Sequence, residues 1–238
     1  MTLRGVFVTG TDTEVGKTCV SAGLLHWFAQ AGLRSAGFKP VAAGKQLIDG
    51  RWVNGDVRAL RDAGSVSLAD AEVGPCQFSA ACAPHIAASI EGRSIDRQAL
   101  RDAALALAQR ADVLVVEGVG GFCVPLGADW DSADLACDLG LPLLLVVGLR
   151  LGCLNHALLT AEAVAARGLA LSGWIGNSVE PDMPWLPENL DSLRQELACR
   201  HRAPCLGVVP WLAAAEPAAV AAHLDDAALR RAFDWVPA

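Results

Sequence analysis

A glycine-bounded loop between an apolar segment and a helical segment is the feature that most constrains the fold of this chain. Residues 6 to 25 read VFVTGTDTEVGKTCVSAGLL, and the loop within them ends in Gly16, Lys17 and Thr18. Backbone N–H groups of such a loop, with the start of the following helix, form a site for phosphate groups. A lysine at this position reaches the outer phosphates, and a threonine hydroxyl binds Mg²⁺. The setting predicts a nucleotide-binding loop, although a Gly-Lys-Thr triplet also occurs by chance.

The loop is one residue longer than the usual phosphate loop, because residues 11 to 15 separate Gly10 from Gly16. We expect the additional residue to form a bulge that pushes Thr13 and Glu14 outward. A triphosphate would repel the carboxylate of Glu14 unless that carboxylate faces a cation, and a positively charged substrate amine would suit it. A solvated loop glutamate is the alternative.

Strand-like and helix-like segments alternate along the rest of the chain. The strand-like runs are GVFVTG, RSAGFKPV, DVLVVEG, LPLLLVVG, LALSGWIGN and APCLGVVP. Helical spacing covers residues 17–31, 96–110, 153–167 and 187–200, and EPAAVAAHLDDAALRRAF is predicted as one C-terminal helix, whereas 43–95 is irregular. Apolar runs without alternation are typical of strands covered on both faces. We therefore predict a single doubly wound α/β domain over residues 1–238, with a mainly parallel sheet flanked by helices, of the P-loop NTPase type.

Composition narrows the functional classes. The formal net charge of −7 argues against broad nucleic-acid binding, which needs a surplus of Lys and Arg. The longest apolar run, LGLPLLLVVGL, is too short to cross a bilayer. Because the N-terminus MTLRGVFVTG has no signal-peptide pattern, we expect a cytoplasmic protein. The eight cysteines include no Cys-x-x-Cys pair, and we expect them to be reduced and mainly structural apolar residues.

Two acids and a second lysine stand where such folds hold a nucleotide. Glu117 ends the strand-like DVLVVE before a glycine-rich turn, a usual position for a residue that serves Mg²⁺. Asp56 in NGDVRAL is a further oxygen ligand or, equally, the N-cap of a helix. Lys39 in GFKPVAAG ends a strand, so it is expected at the same sheet edge as Lys17. Simple solvent exposure of Lys39 is the alternative.

Several blocks together resemble the dethiobiotin synthetase family, the ATP-dependent ring-closing enzymes of biotin synthesis. GTDTEVGKT, with its extra residue, looks like that family's phosphate loop. AGFKPVAAG, PHIAA, VEGVGGF, LGCLNHALLT and VPWLA resemble its later blocks in the same order, from about Val6 to Leu212. The resemblance implies conversion of 7,8-diaminononanoate, CO₂ and ATP to dethiobiotin, ADP and phosphate through a carbamate and a carbamic-phosphoric anhydride. It also implies a Mg²⁺ cofactor, a homodimer, and neither nucleic acid nor membrane as a partner.

The resemblance also implies roles for individual residues. Lys17 and Lys39 would be catalytic. Thr18, Asp56 and Glu117 would serve Mg²⁺. The residues that would bind ATP are Glu14, Val15, Gly16, Lys17, Thr18, Cys19, Asp56, Glu117, Gly118, Val119, Gly120, Asn177, Ser178, Pro210, Trp211 and Leu212. The residues that would receive the substrate carboxylate across a homodimer interface are Gly152, Cys153 and Asn155.

Two positions depart from the family pattern. Ala43 stands where Ser or Thr is frequent, so only its backbone N–H remains to contact the substrate and we expect somewhat weaker binding. Arg150 stands where Lys is common, which keeps the charge but changes its geometry. Beyond Leu212 the resemblance fades, and no function is assigned there.

Two other classes of protein remain as alternatives. An amide-forming synthetase of similar fold usually carries a glutamine-hydrolysing domain, for which the 238 residues leave no room. A nucleotide switch of the partitioning ATPase type has an additional lysine early in the loop, where this chain has Thr11, Asp12 and Thr13.

Overall fold

Six parallel strands form the centre of the structure, a computed structural model that describes residues 3–48 and 50–237, with only the backbone described at residues 48 and 51. Of the predicted 1–238 domain, residues 1, 2, 49 and 238 lie outside the described residues. The strands of the described residues are β1 (Gly5–Gly10), β2 (Ser35–Phe38), β3 (Val41–Ala43), β4 (Gln46–Ile48), β5 (Arg51–Val53), β6 (Cys76–Phe78), β7 (Val113–Glu117), β8 (Leu143–Leu149), β9 (Leu171–Ser178) and β10 (Cys205–Val209).

The helices run between these strands and after the last of them. They are α1 (Lys17–Gln30), α2 (Gly55–Ala63), α3 (Asp70–Val73), α4 (Pro84–Ile90), α5 (Arg97–Leu107), α6 (Ser132–Leu139), α7 (Cys153–Ala166), α8 (Leu186–His201), α9 (Pro217–Ala221) and α10 (Asp226–Ala232). None of the helices in the described ranges is both long and apolar enough to cross a membrane.

The central sheet has the order β10-β9-β8-β1-β7-β2, and all its neighbouring strands are parallel. Every residue of β1, β7 and β8 is buried, because helices cover both faces of the sheet. The chain order reverses around β1, whose neighbours β7 and β8 both come much later in the sequence. The predicted doubly wound α/β fold with a mainly parallel sheet is confirmed.

The strand predicted over RSAGFKPV is split in two. Regular pairing with β7 ends at Phe38, and Pro40 has no N–H group to continue a ladder. The backbone N–H of Lys39 donates instead to the Val73 carbonyl at 2.7 Å. From Val41 the chain pairs with β6 in a separate two-stranded sheet. The region that the sequence left irregular, 43–95, therefore contains several short elements, including the β4–β5 hairpin and three helices.

The single C-terminal helix predicted by sequence is wrong, because α9 and α10 are separate. Between them Leu224 forms an isolated antiparallel bridge with Gly207 of β10, and the Asp225 N–H donates to the Leu206 carbonyl at 2.8 Å. The side chain of Asp225 then caps α10 by accepting from the N–H of Ala228. Pairing with the sheet edge thus interrupts a segment of high helix propensity.

An aromatic cluster joins this C-terminal segment to α1. Phe28 of α1 packs against Phe233 at 6.0 Å and stacks on Trp235 at 5.7 Å between ring centroids. The indole N–H of Trp27 donates to Asp226 Oδ1 at 2.9 Å. The residues after Leu212, which had no assigned role, therefore pack against the helix that begins at the phosphate loop.

All eight cysteines are free, as expected for reduced thiols. Only Cys76 and Cys153 are buried, so these two fit the prediction of structural apolar residues. That prediction is wrong for the four exposed cysteines, which are Cys82, Cys123, Cys137 and Cys199.

Candidate functional site

The carboxyl ends of β1, β2 and β7 meet at one edge of the sheet, where they open into a cleft of about 960 Å³. Because these strands are parallel neighbours, the residues that follow them lie side by side. The cleft is lined by Lys17, Thr18, Lys39, Asp56 and Glu117 among others. The structure thus brings together Lys17, Lys39 and Glu117, which are distant in sequence and were predicted to share one edge of the sheet.

The stretched loop forms the floor of the cleft. Gly16 has a φ of 89°, and a Cβ there would lie 2.1 Å from Nδ2 of Asn177, so only glycine fits. Glu14 is in the left-handed region with a φ of 60°. The side chains of Thr13 and Glu14 are exposed, while Val15 is buried. The predicted outward bulge is confirmed.

Lys17 is almost fully buried and points along the loop. Its Nζ donates to the backbone carbonyl of Asp12 at 2.8 Å. Burial, and then the positive charge of Lys39, lower the pKa of Lys17 to about 8. The acids Glu117, Asp56 and Asp12 offset this change only in part. Lys17 is consequently a cation whose charge lacks full compensation, which favours anion binding.

Lys39 lies at the centre of a buried network and is only 2% exposed, so the alternative of a solvent-facing lysine is wrong. Its Nζ contacts Glu117 Oε1 at 2.6 Å, the Gly118 carbonyl at 3.0 Å and Asp56 Oδ2 at 3.0 Å. Burial lowers the pKa of Lys39, but the charges of Glu117 and Asp56 outweigh burial, so the pKa is raised overall. Lys39 therefore stays protonated.

Asp56 is held in this network by the start of α2, but it is not the N-cap. The cap is Asn54, whose side chain accepts from the N–H groups of Asp56 and Val57. Burial raises the pKa of Asp56, yet the charge and hydrogen bond of Lys39 outweigh that effect and the pKa is lowered. Of the two roles left open for Asp56, the capping role is wrong, and an ionised oxygen donor remains.

Three oxygen-bearing side chains could contribute to a cation site in the cleft. The Thr18 hydroxyl donates to Glu117 Oε1 at 2.8 Å, and the other oxygen of that carboxylate, Oε2, is buried without a hydrogen-bond partner. No group of three or more His, Cys, Asp or Glu residues within the described ranges could hold a metal ion. A hydroxyl and two carboxylates are the hard donors that suit a divalent cation shared with phosphate oxygens.

A second cavity of about 220 Å³ adjoins the cleft. Both cavities include Glu14, Gly16 and Cys19 in their linings. The side-chain amide of Asn177 donates to the Val15 carbonyl at 3.1 Å, which ties β9 to the phosphate loop. Four other residues predicted to bind ATP also line this cavity, namely Ser178, Pro210, Trp211 and Leu212.

Gly152, Cys153 and Asn155 lie at the start of α7, after the carboxyl end of β8. Cys153 is buried and Asn155 is exposed, and none of the three lines either of the two cavities just described. The neighbouring Leu151 is 94% exposed. Within this chain the structure therefore does not bring the predicted carboxylate-binding residues into the cleft.

Comparison with known proteins identifies the family. The model of the AAA domain family matches residues 4–219. ATP-dependent dethiobiotin synthetase BioD of Aromatoleum aromaticum is 52% identical over 221 residues, which cover 93% of this chain and 96% of that protein. The chain belongs to the ATP-dependent dethiobiotin synthetase family. The resemblance seen in the sequence is confirmed, and so is the prediction of an ATP-dependent ligase.

Two solved structures show the fold that this dethiobiotin synthetase family member shares with distant proteins. The MinC:MinD cell division protein complex of Aquifex aeolicus matches with a TM-score of 0.54 and 14% identity, covering 96% of this chain and 95% of that one. The MinD cell division protein of Aquifex aeolicus matches with a TM-score of 0.54 and 12% identity, covering 96% of each chain. At such identities the likeness concerns the fold alone, and it agrees with the predicted doubly wound α/β fold.

Sequence reasoning missed two residues that shape the site of this family member. Asn54 is 5% exposed and bridges the β3 end to α2, which the preference of asparagine for N-caps would have indicated. The carboxylate of Asp12 is paired with Arg150 at 2.8 Å. Nothing in the sequence signals that ion pair, because its partners are 138 residues apart.

Proposed function

We propose that this chain converts 7,8-diaminononanoate, CO₂ and ATP to dethiobiotin, ADP and phosphate. The observation that carries the proposal is the convergence of two buried lysines, Lys17 and Lys39, beside a phosphate loop in one cleft. Membership of the dethiobiotin synthetase family supports this substrate and product. The proposal treats residues 1–238 as one ATP-binding synthetase domain that acts as a cytoplasmic homodimer on small molecules, without nucleic acid or membrane partners.

The reaction begins when one amine of the substrate adds to CO₂ and loses a proton, which gives a carbamate. A carbamate oxygen then attacks the γ-phosphorus, the bond to ADP breaks, and a carbamic-phosphoric anhydride forms. The second amine attacks the carbonyl carbon and expels phosphate, losing a proton as the cyclic urea closes. Ring closure needs mainly positioning, because both amines belong to one molecule.

The lysines supply positive charge where an anion attacks an anion. Lys17 follows the loop glycine, where a lysine would contact the outer phosphates. Lys39 remains protonated inside the cleft, so it can stabilise the carbamate and the transferring phosphoryl group. The exposed Glu14 carboxylate is suited to a substrate ammonium group, and Ala43 also lines the cleft.

Further groups would hold the substrates. Thr18, Asp56 and Glu117 would hold Mg²⁺, which when bound neutralises charge on the phosphate oxygens. The turn from Glu117 to Gly120 would approach the γ-phosphate. The adenine base of ATP would occupy the second cavity, which is lined by Asn177, Ser178, Pro210, Trp211 and Leu212. The start of α7, from Gly152 to Asn155, would receive the substrate carboxylate of the other subunit.

The test is an incubation with 7,8-diaminononanoate, bicarbonate, Mg²⁺ and ATP, followed by mass spectrometry for dethiobiotin and ADP. Removing one preorganised donor of developing charge costs about 10²–10³-fold in rate. We expect a loss of that size for Lys17→Ala and for Lys39→Ala. Lys45→Ala is the matched control, since Lys45 is the only other lysine in the sequence and lines neither cavity.

Two outcomes would contradict the proposal. Activity of Lys39→Ala within about tenfold of the wild type would remove its catalytic role. Formation of ADP without dethiobiotin would leave a phosphate-binding loop but favour another substrate or a nucleotide switch.

A further inference from the structure

Asp12 is bonded on three sides within the phosphate loop. Its backbone carbonyl accepts a hydrogen bond from Lys17 Nζ at 2.8 Å. Its Oδ1 accepts from the N–H of Thr13 at 2.8 Å, and its Oδ2 accepts from Arg150 Nη2 at 2.8 Å. The residue that holds the Lys17 ammonium is thus itself held by Arg150.

Arg150 belongs to the turn from which α7 starts. It directly follows β8, and its backbone carbonyl accepts from the N–H of Cys153, the first residue of α7, at 3.0 Å. The Arg150 side chain is 37% exposed and that of Asp12 is 47% exposed. The pair therefore lies at the rim of the cleft, where it joins the β8–α7 turn to the stretched loop.

Without Arg150 the carboxylate of Asp12 would be an unpaired negative charge at a phosphate site. It would repel a triphosphate, and the buried ammonium of Lys17, already bonded to the same residue, would be its nearest available cation along the loop. A Lys17 bonded to that carboxylate would no longer be free for phosphate.

We propose that Arg150 is a positioning residue, which neutralises the Asp12 carboxylate and so keeps Lys17 available for the outer phosphates of a bound nucleoside triphosphate. This inference rests on the proposed function for the identity of the ligand. The inference explains why Arg150, which lines neither cavity, points its positively charged side chain at the phosphate loop. Because the contact uses a single nitrogen of the guanidinium, the point charge of a lysine can replace it.

The test compares the binding of two nucleotides by calorimetry in the full-length protein. The probes are AMP and a nonhydrolysable ATP analogue with an imido group between its outer phosphates. Arg150→Met should weaken binding of the analogue about tenfold, because the charge of Asp12 is left unpaired, while the affinity for AMP changes less than about twofold. Arg150→Lys should bind the analogue like the wild type.

The double variant Asp12→Asn/Arg150→Met gives the sharpest readout. If Arg150 acts by neutralising Asp12, removing that carboxylate should restore most of the affinity for the analogue that Arg150→Met loses. The matched control is Arg34→Met, which breaks another Arg–Asp pair, with Asp112, at the opposite end of the sheet. It should leave the affinities for both nucleotides unchanged.

Equal weakening of AMP and the analogue in Arg150→Met would indicate a general structural defect and overturn the inference. A double variant as weak as Arg150→Met would overturn it as well. A wild-type protein that binds the analogue but makes no dethiobiotin would remove the proposed function and leave the inference standing. A wild-type protein that binds neither nucleotide would overturn both.

Discussion

At the scale of single residues, two lysines in one cleft differ in what compensates their charge. Lys39 touches two carboxylates, and these raise its pKa despite complete burial. Lys17 contacts a carbonyl oxygen rather than a carboxylate, so burial dominates and lowers its pKa to about 8. At neutral pH both lysines are charged, but only Lys17 titrates near the physiological range.

We therefore expect kcat/KM for ATP to fall as the pH rises through about 8, because free Lys17 loses its proton there. The alkaline fall in kcat should lie at higher pH than the fall in kcat/KM, because bound phosphates stabilise the protonated form of Lys17. Between pH values of about 8 and 10.5, Lys17 is deprotonated in the folded protein but still protonated in the unfolded chain. This group therefore makes the free energy of unfolding rise with pH over that window.

The measurement is a pH–rate profile for the wild type and for Lys17→Arg. A guanidinium stays protonated over the whole range, so the alkaline limb should move to higher pH in that variant. An unchanged limb would assign the titration to another group.

At the scale of elements, the cap of α2 does more than begin a helix. The Asn54 amide donates to the carbonyls of Ala43 and Gly44 at 3.2 and 3.0 Å, while its oxygen caps α2. One buried side chain thus fixes the end of β3 against the start of α2. It also fixes Asp56 at 3.0 Å from Lys39.

Asn54→Ala should lower the free energy of unfolding by about 1–2 kcal/mol and also reduce turnover, because Asp56 loses its support. Asp96→Ala is the matched control, since Asp96 caps α5 by accepting from Ala99 and lines neither cavity. It should cost a similar amount of stability with no loss of activity. Urea denaturation and steady-state kinetics of both variants check this, and equal turnover in the two would contradict it.

The sequence predicted the elements whose form follows from burial alone. β1, β7 and β8 are mainly apolar runs without alternation, and burial on both faces gives that pattern directly. Short elements could not be predicted, because distant partners create them. β3 exists by pairing with β6, and the break before α10 exists because Leu224 pairs with Gly207.

The same limit applies to the site. The loop around Lys17 follows from a local motif, so its outward bulge could be predicted. The burial of Lys39 could not, because it depends on Glu117, which lies 78 residues further along the chain. The pairing of Arg150 with Asp12 is missed for the same physical reason.

At the scale of the whole molecule, the C-terminal aromatic cluster packs against α1, the helix that follows the phosphate loop. Phe233 is fully buried and packs against Phe28 of α1, the helix that begins at Lys17. Gly23 of α1 lies so close to α9 that a Cβ would come 2.5 Å from Val220. The two C-terminal helices thus help to fix the helix on which the phosphate loop depends.

Phe233→Ala should lower the free energy of unfolding by about 3–5 kcal/mol, because it leaves a cavity between α1 and α10. Leu159→Ala is the control, since Leu159 is 61% exposed and should change stability by less than about 0.5 kcal/mol. Urea unfolding followed by tryptophan fluorescence measures both. A loss below about 1 kcal/mol for Phe233→Ala would show that the cluster adds little.

The position of β1 between β7 and β8 also has a consequence during translation. Its partners begin at Val113 and Leu143, so a ribosome must add more than 100 residues after β1 before either edge can pair. At roughly 5–20 residues per second, β1, which is fully buried in the folded protein, has no partner on either edge for on the order of ten seconds. Over that interval the nascent chain offers a template for wrong pairing, so its yield in the cell should respond to chaperones that shield early apolar segments.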